Sequence, residues 1–296
     1  MSEIPPQTLA WVEREVGWVR DIQPMPEASH TNHRLVIATS GEAGLEVVMR
    51  RYTDAERLGT DPWYTPTHEE LALRTLEPVD LPVPRLVCVD LDPTECDVPT
   101  LVLTYLPGSS PRRPDTLDAF VRQLAEPLPA IHGAILADGL PAYEPYFVSD
   151  GLVAGDLRPP DWAVDPSVWE RAFEAAAADP PASQARFIHR DYHQGNTLWD
   201  GHELSGIIDW TTGCIGPVGI DLAQMRVNLA WELDLETVDA FLDAWRSLTP
   251  RDDYHPYWDL LDAVDWLGDG EPNEPVPDVG LERYETFVGR TLAELG

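Results

Sequence analysis

The chain has 296 residues, 43% of them hydrophobic, with no run of 18 apolar residues and no basic-then-apolar leader in MSEIPPQTLA; this bounds it to one large domain or two lobes and argues against a membrane span and a signal peptide. Its 52 acidic residues against 20 basic ones, all arginine, give a formal net charge of −32, which excludes nucleic acid and anionic membranes as partners because both need a basic surface. Three cysteines, Cys88, Cys96 and Cys214, show no Cys-x-x-Cys spacing, so a reducing, cytoplasmic setting without a metal cluster is expected.

Residues 11–22 mix charged residues with Val, Ile and Trp, and predict a short helix running into a first strand. Residues 35–38 and 45–50 are apolar runs around Ser40-Gly41-Glu42-Ala43-Gly44, the pattern of a β-hairpin. Alternation along the second run puts Val48 and Arg50 on one face and Arg51 on the other. Thr67, with Glu70 three residues on, reads as a capping box opening a helix whose Leu73 and Leu76 face the core. Short strands follow at 85–89 and 101–103, and Thr104-Tyr105-Leu106-Pro107-Gly108 ends in a turn signal. Thr116 opens a helix with Leu117, Phe120, Val121 and Leu124 on one face, extended by Leu128 and Ile131 after Pro127. His132 at its end reads as a buried, hydrogen-bonded histidine. Residues 141–166 read as a long loop and 168–178 as a short Ala-rich helix.

Residues 187–210, FIHRDYHQGNTLWDGHELSGIIDW, organise the rest. Phe187 and Ile188 lead into His189, Arg190 and Asp191, and Asn196 lies five residues after that Asp. Residues 197–199 and 206–208 can pair around Asp200-Gly201, which brings Asp209 beside the strand end. Asp191, Asn196 and Asp209 then share one rim. These residue types suit phosphoryl transfer: one carboxylate orients and deprotonates a hydroxyl, while an amide oxygen and a second carboxylate hold Mg2+ on nucleotide phosphates. Beyond them, 221–231 reads as helix. Asp234 caps another, with Val238, Phe241, Leu242, Trp245 and Leu248 on one side. Residues 257–266 set apolar Leu260, Leu261 and Val264 against an outer acidic face of Asp259, Asp262 and Asp265, and 281–295 form a closing helix.

HRDYHQGN, then IIDW, then Gly216-Pro217 with Asp221-Leu222-Ala223 resemble the aminoglycoside phosphotransferase and choline kinase family of small-molecule kinases. Trp210 and Thr211 stand after Asp209 where protein kinases carry Phe-Gly, which points to the small-molecule branch. The resemblance covers most of the chain and is specific over about residues 187–230. It implies an α+β, protein-kinase-like fold: a small β-sheet N-lobe (1–107, nucleotide-binding, ending in the hinge), a larger helical C-lobe (108–296, catalytic and acceptor-binding), and the active cleft between. It implies Asp191 as the catalytic residue, Asn196 and Asp209 as metal ligands, Asp221 as the brace of the catalytic-loop backbone and His189 as its packing residue. Register places Arg50 where the family pairs a basic side chain with the nucleotide phosphates. Its partner is Glu69 or Glu70, and spacing to Leu73 and Leu76 favours Glu69. The Thr104 carbonyl and Leu106 N–H would bond the base at the hinge. Residues 25–33 occupy the place of a phosphate-covering loop. Glu27, Ala28, Ser29 and His30 replace its usual glycines, so this is either a plain loop or a clamp using backbone N–H groups and the Ser29 hydroxyl.

The implied activity is ATP- and Mg2+-dependent phosphorylation of a hydroxyl on a small cationic acceptor, aminoglycoside-like as in antibiotic resistance, with GTP open as donor. A metabolic kinase of an amino alcohol or sugar, and a nucleotide-binding protein with little catalysis, are the alternatives. No protein partner is readable. Acceptor-side candidates are Glu232, Asp262, Asp265 and Trp266, with Trp231 beside them and the loop acids Glu144, Asp150, Asp156 and Asp161. The acidity reads either as a field attracting a cation or as a solvated surface.

Overall fold

The computed structural model describes residues 4–26, 30–39, 44–110, 116–145, 157–250, 253–267 and 278–296. Glu27, Ala28, Ser29, Asp150 and Asp156 lie outside the described residues. The first part of the chain contributes α1 (Pro6–Glu15), β1 (Val19–Pro24), β2 (Thr31–Ile37), β3 (Leu45–Arg51), α2 (Ala55–Thr60), α3 (Pro66–Leu76), β4 (Leu86–Asp90) and β5 (Thr100–Thr104). The five strands form one antiparallel sheet in the order β1-β2-β3-β5-β4. The expected hairpin is β2–β3, with Leu35 opposite Val47. Alternation then sorts the faces. Leu35, Ile37, Val47, Met49 and Val102 pack on Trp11 and Val12 of α1. Arg50 emerges on the opposite face, towards α3.

Helix α3 starts earlier than the capping box predicts. Thr65 is its N-cap and Pro66 fills the first position, where a missing N–H costs nothing. Glu70 pairs with Arg74 (2.8 Å), and Glu69, one turn before Leu73 on the buried face, turns inward.

The second part contributes α4 (Leu117–Ala125), α5 (Leu128–Ile131), α6 (Pro166–Ala176), β6 (Ala185–Ile188), β7 (Thr197–Asp200), β8 (Glu203–Ile207), β9 (Cys214–Pro217), α7 (Val218–Glu232), α8 (Leu235–Leu248), α9 (Pro256–Asp265) and α10 (Asp278–Leu295). Two short ribbons, β6–β9 and β7–β8, carry the motif region. Helix α7 is buried along almost its whole length, packed by α8, α9 and α10. Asp234 caps α8 as expected, accepting from Thr237 N at 2.8 Å. Leu248, expected on the apolar side, is 37% exposed at the last position of α8.

The acids of α9 overturn the expected outer face. Asp259, Asp262 and Asp265 are 0%, 5% and 7% exposed. Helices α6, α7 and α10 all pack on α9, so its polar stripe is covered as well as its apolar one. Gly219 permits this closeness, since a Cβ there would lie 2.6 Å from Trp258 Cγ.

Residues 105–110 join the sheet to the helical part. Gly108 adopts φ +127, and a Cβ on it would meet the Trp199 carbonyl at 2.9 Å. Ser109 pairs with Trp199 and Ser205 Oγ donates to the Pro107 carbonyl at 2.6 Å, so the connection is fastened to the β7–β8 hairpin. No helix among the described residues is long and apolar enough to cross a membrane.

Candidate active site

The site grows out of a strained turn. After β6 the chain passes through Arg190 at φ 72, a left-handed conformation that costs an L-residue about 1–2 kcal/mol. Asp221, fully buried on α7, accepts from Arg190 N at 2.9 Å and from His189 N and the His132 ring at 3.0 and 2.9 Å. The buried Arg190 guanidinium lies 3.7 Å over the Trp63 ring and donates to the Glu144 carbonyl at 2.9 Å. His189 Nε2 donates to the Ile208 carbonyl at 2.9 Å, and its ring sits 4.3 Å from Trp210. Such over-determination is what keeps a strained backbone in place. Asp221→Ala is expected to destabilise the protein by roughly 3–5 kcal/mol, because it strands two buried N–H groups and a histidine. Urea unfolding measures this, and a loss below about 1 kcal/mol would show that the turn holds without Asp221.

The turn delivers Asp191. Asn196 Nδ2 donates to both its backbone carbonyl and its Oδ2 at 2.9 Å. Gln224 Nε2, from α7, donates to its Oδ1 at 2.8 Å. His193 Nε2 stands 3.7 Å from the same oxygen. The Asn196 carbonyl accepts from Ile208 N at 2.9 Å, which places Asn196 beside the strand end that leads into Asp209. Asp209 is also left-handed, at φ 64.

Arg50 closes the group from the sheet. Its Nη1 donates to Glu69 Oε1 at 2.7 Å and to Asp209 Oδ1 at 3.1 Å, and its Nε donates to Asn32 at 3.2 Å. Tyr52 donates to the second Glu69 oxygen at 2.9 Å. Of the two candidate partners, Glu69 meets Arg50. Burial works against the Arg50 charge, but Glu69 and Asp209 outweigh it and hold the guanidinium above its ordinary range. Burial also opposes the Asp209 charge; Arg50, His30 and His189 prevail and keep that carboxyl below the usual carboxylate range. Burial raises Glu69.

Away from this group, Thr104 ends β5 and its hydroxyl accepts from Arg85 N at 2.9 Å. Leu106 packs on β8, its Cδ1 lying 3.0 Å from where a Cβ on Gly206 would stand. Burial, with Asp265, Asp259, Asp191 and Asp221, pushes the Asp262 carboxyl well above its usual range. Asp262 Oδ2 is buried with no hydrogen-bond partner. Trp266 stacks edge-on with Trp231 at 4.3 Å, and both meet Tyr284, at 6.0 and 5.2 Å. Glu232 is exposed at the last position of α7, and Asp161 is exposed before α6.

Residues 26–280 match the APH family, described as a phosphotransferase enzyme family. The chain belongs to it. The phosphotransferase is 25% identical over 268 residues, 85% of its length and 80% of the relative's, to the homoserine kinase of Methylobacterium sp. (strain 4-46). Its fold is that of the solved aminoglycoside phosphotransferase APH(4)-Ia, as a thermostable mutant in ternary complex with ADP and hygromycin B: TM-score 0.63, 15% identity, 98% of each chain covered. The macrolide 2'-phosphotransferase of Brachybacterium faecium has the same fold at TM-score 0.57 and 16% identity, covering 97% of this chain and 91% of that one. So does an amicoumacin kinase in complex with AMP-PNP, calcium and amicoumacin, at TM-score 0.57 and 13% identity, covering 96% and 93%. The protein is thus a small-molecule phosphotransferase acting on hydroxyl groups, with a protein-kinase-like α+β fold.

The phosphotransferase's oxygens fit a hard cation. Asn196 commits its amide nitrogen to Asp191, so its amide oxygen is not engaged there. Among the described residues no group of three or more His, Cys, Asp or Glu could hold a metal. Two protein oxygens suit an ion that takes its other ligands from phosphates and water, as Mg2+ does. Sequence reasoning missed Asn32, Tyr52 and Gln224. Each acts across a fold contact, and no local spacing marks it.

Proposed function

We propose that the protein transfers the γ-phosphoryl group of ATP to a hydroxyl of a small, cationic acceptor. One observation supports this: Arg50 bridges Glu69 and Asp209 while Asn196 ties Asp191 to the strand entering Asp209, so one polar cluster joins a basic side chain to the carboxylates and amide that phosphoryl transfer uses. Asp191 accepts the acceptor's hydroxyl proton as its oxygen bonds to the γ-phosphorus and the bond to the nucleoside diphosphate breaks. Asn196 and Asp209 would hold Mg2+, which when bound neutralises charge on the phosphates. Arg50, braced by Glu69, anchors the phosphates, and the Thr104 carbonyl and Leu106 N–H at the hinge, in a nucleotide lobe of residues 1–107, take the base. His189 and Asp221 hold the loop. The free thiols Cys88, Cys96 and Cys214 fit a cytoplasmic setting.

The acceptor's positive charge is argued from Asp262. The buried Asp262 carboxyl leaves its Oδ2 without a partner, and an ammonium group would supply a donor there and favour the ionised form. Asp265 adds charge, and Trp231 and Trp266 offer ring surface to a cation. On this reading the acceptor is a hydroxylated amine of the aminoglycoside kind, encountered as an antibiotic. The homoserine kinase relative favours a second reading, a metabolic kinase of a small amino alcohol. Measuring ADP and GDP release from ATP and GTP over a panel containing homoserine, choline, hygromycin B and neutral sugars separates these. Tight nucleotide binding with no turnover on any member would leave only a nucleotide-binding protein.

Asp262→Asn is expected to raise KM for a cationic acceptor roughly 10–10²-fold and to leave KM for ATP unchanged. It should also stabilise the empty protein. The Asp262 carboxyl is raised on folding, so wild-type stability falls as pH climbs from the ordinary carboxylate range through the raised value. Asn escapes that fall, so its advantage in Tm should widen from about pH 5 to about pH 8. A variant less stable than wild type at the higher pH would mean that Asp262 is a structural pillar.

A further inference from the structure

The Asp191 carboxylate is gripped from two sides. Asn196, in the catalytic loop itself, donates to Oδ2 at 2.9 Å. Gln224, 33 positions away on α7, donates to Oδ1 at 2.8 Å. Gln224 is only 7% exposed and sits one turn beyond Asp221, on a helix buried along almost its whole length. Its backbone carbonyl accepts from Asn228 Nδ2 at 2.8 Å, and the Asn228 carbonyl accepts from Gln194 Nε2 at 3.4 Å, so this stretch of α7 is laced to the catalytic loop twice. A carboxylate can only accept, which fixes the Gln224 amide with its nitrogen towards Asp191. His193 cannot substitute, because 3.7 Å is beyond hydrogen-bond distance.

An Asp side chain with one such bond can still swing about the bonded oxygen. Donors on both oxygens define its plane, leaving one open lone-pair direction on each oxygen for an arriving hydroxyl. We infer that Gln224 is a positioning residue: from α7 it fixes the plane of the Asp191 carboxylate for proton acceptance. The inference rests on Asp191 being the proton acceptor.

The test uses the full chain, crystal structures of the variants, and ADP release from MgATP with water and then homoserine as acceptors. Gln224→Met keeps the volume and removes the donor. It is expected to rotate the Asp191 carboxylate and to lower kcat roughly 10–10²-fold, with KM for ATP and affinity for AMP-PNP unchanged. Gln224→His places an N–H at a similar reach and should recover most of the loss. Gln224→Glu keeps the shape but faces one carboxylate with another, so it should fall at least as far as Gln224→Met and covers the case in which that variant misfolds. With Asp191→Ala already present, Gln224→Met should cost nothing more, whereas a merely structural residue would add its full effect. A carboxylate unmoved in the Gln224→Met crystal structure, or additive losses in the double variant, would overturn the inference. Wild-type turnover by Asp191→Ala would instead overturn the reading of Asp191 on which it rests.

Discussion

Asp191→Ala is expected to lower kcat by about 10²–10⁴-fold, the usual span for a lost acid–base group, while nucleotide affinity stays within a few-fold of wild type. Both oxygens of this carboxylate already accept an amide N–H, so it is held for a task rather than left to solvent. Its loss frees Asn196 Nδ2 from Oδ2 but not from the Asp191 backbone carbonyl, so Asn196 should keep its place, and with it the proposed metal site. Folding should also survive, because Asp221, not Asp191, accepts the turn's buried N–H groups. The measurement is single-turnover phosphorylation of the best acceptor alongside a titration with AMP-PNP. Turnover within a few-fold of wild type would remove Asp191 from the chemistry. Loss of AMP-PNP binding in step with turnover would make it part of the nucleotide site instead.

The grouping of Asp191, Asn196 and Asp209 was legible because its information is local. Asp191, Asn196 and Asp209 sit within one turn and one hairpin, and the Asp200-Gly201 turn fixes their register. The sheet was legible for the same reason, through alternation in the β2–β3 hairpin. What failed depended on a neighbour. The acids of α9 looked like a solvent face because helical period gives the angle between stripes, not what covers each of them; α6, α7 and α10 together left no outer side. Thr67 had the spacing of a cap, yet Thr65 caps the helix and Pro66 fills its first position, while the spacing of Glu69 to Leu73 and Leu76 did pick the glutamate that meets Arg50. Gln224 gave no signal at all, since a lone Gln in a helix acquires meaning only from the carboxylate that the fold sets beside it.

Asp209→Ala is expected to abolish most Mg2+-dependent nucleotide binding and turnover. Loss of a partner outside the ligand shell already weakens metal affinity by about 10–10²-fold, so loss of a ligand itself should reach at least the upper end. Arg50 cannot mask this. It keeps Glu69, its nearer partner at 2.7 Å, and remains where it was while the cation's carboxylate is gone. The backbone supplies a control. Asp209 holds φ 64, which Asp tolerates, Gly adopts freely and Ala resists. Asp209→Gly should therefore be as inactive as Asp209→Ala yet more stable by about 1 kcal/mol. Isothermal titration of AMP-PNP with and without Mg2+, set beside unfolding midpoints, reads both effects. If the Gly variant regained activity along with stability, Asp209 would matter for the shape of the turn. If both variants kept their Mg2+ dependence, the cation would be held elsewhere. Asn196→Ala should show the same Mg2+ defect more weakly, because it removes a neutral oxygen rather than a charged one.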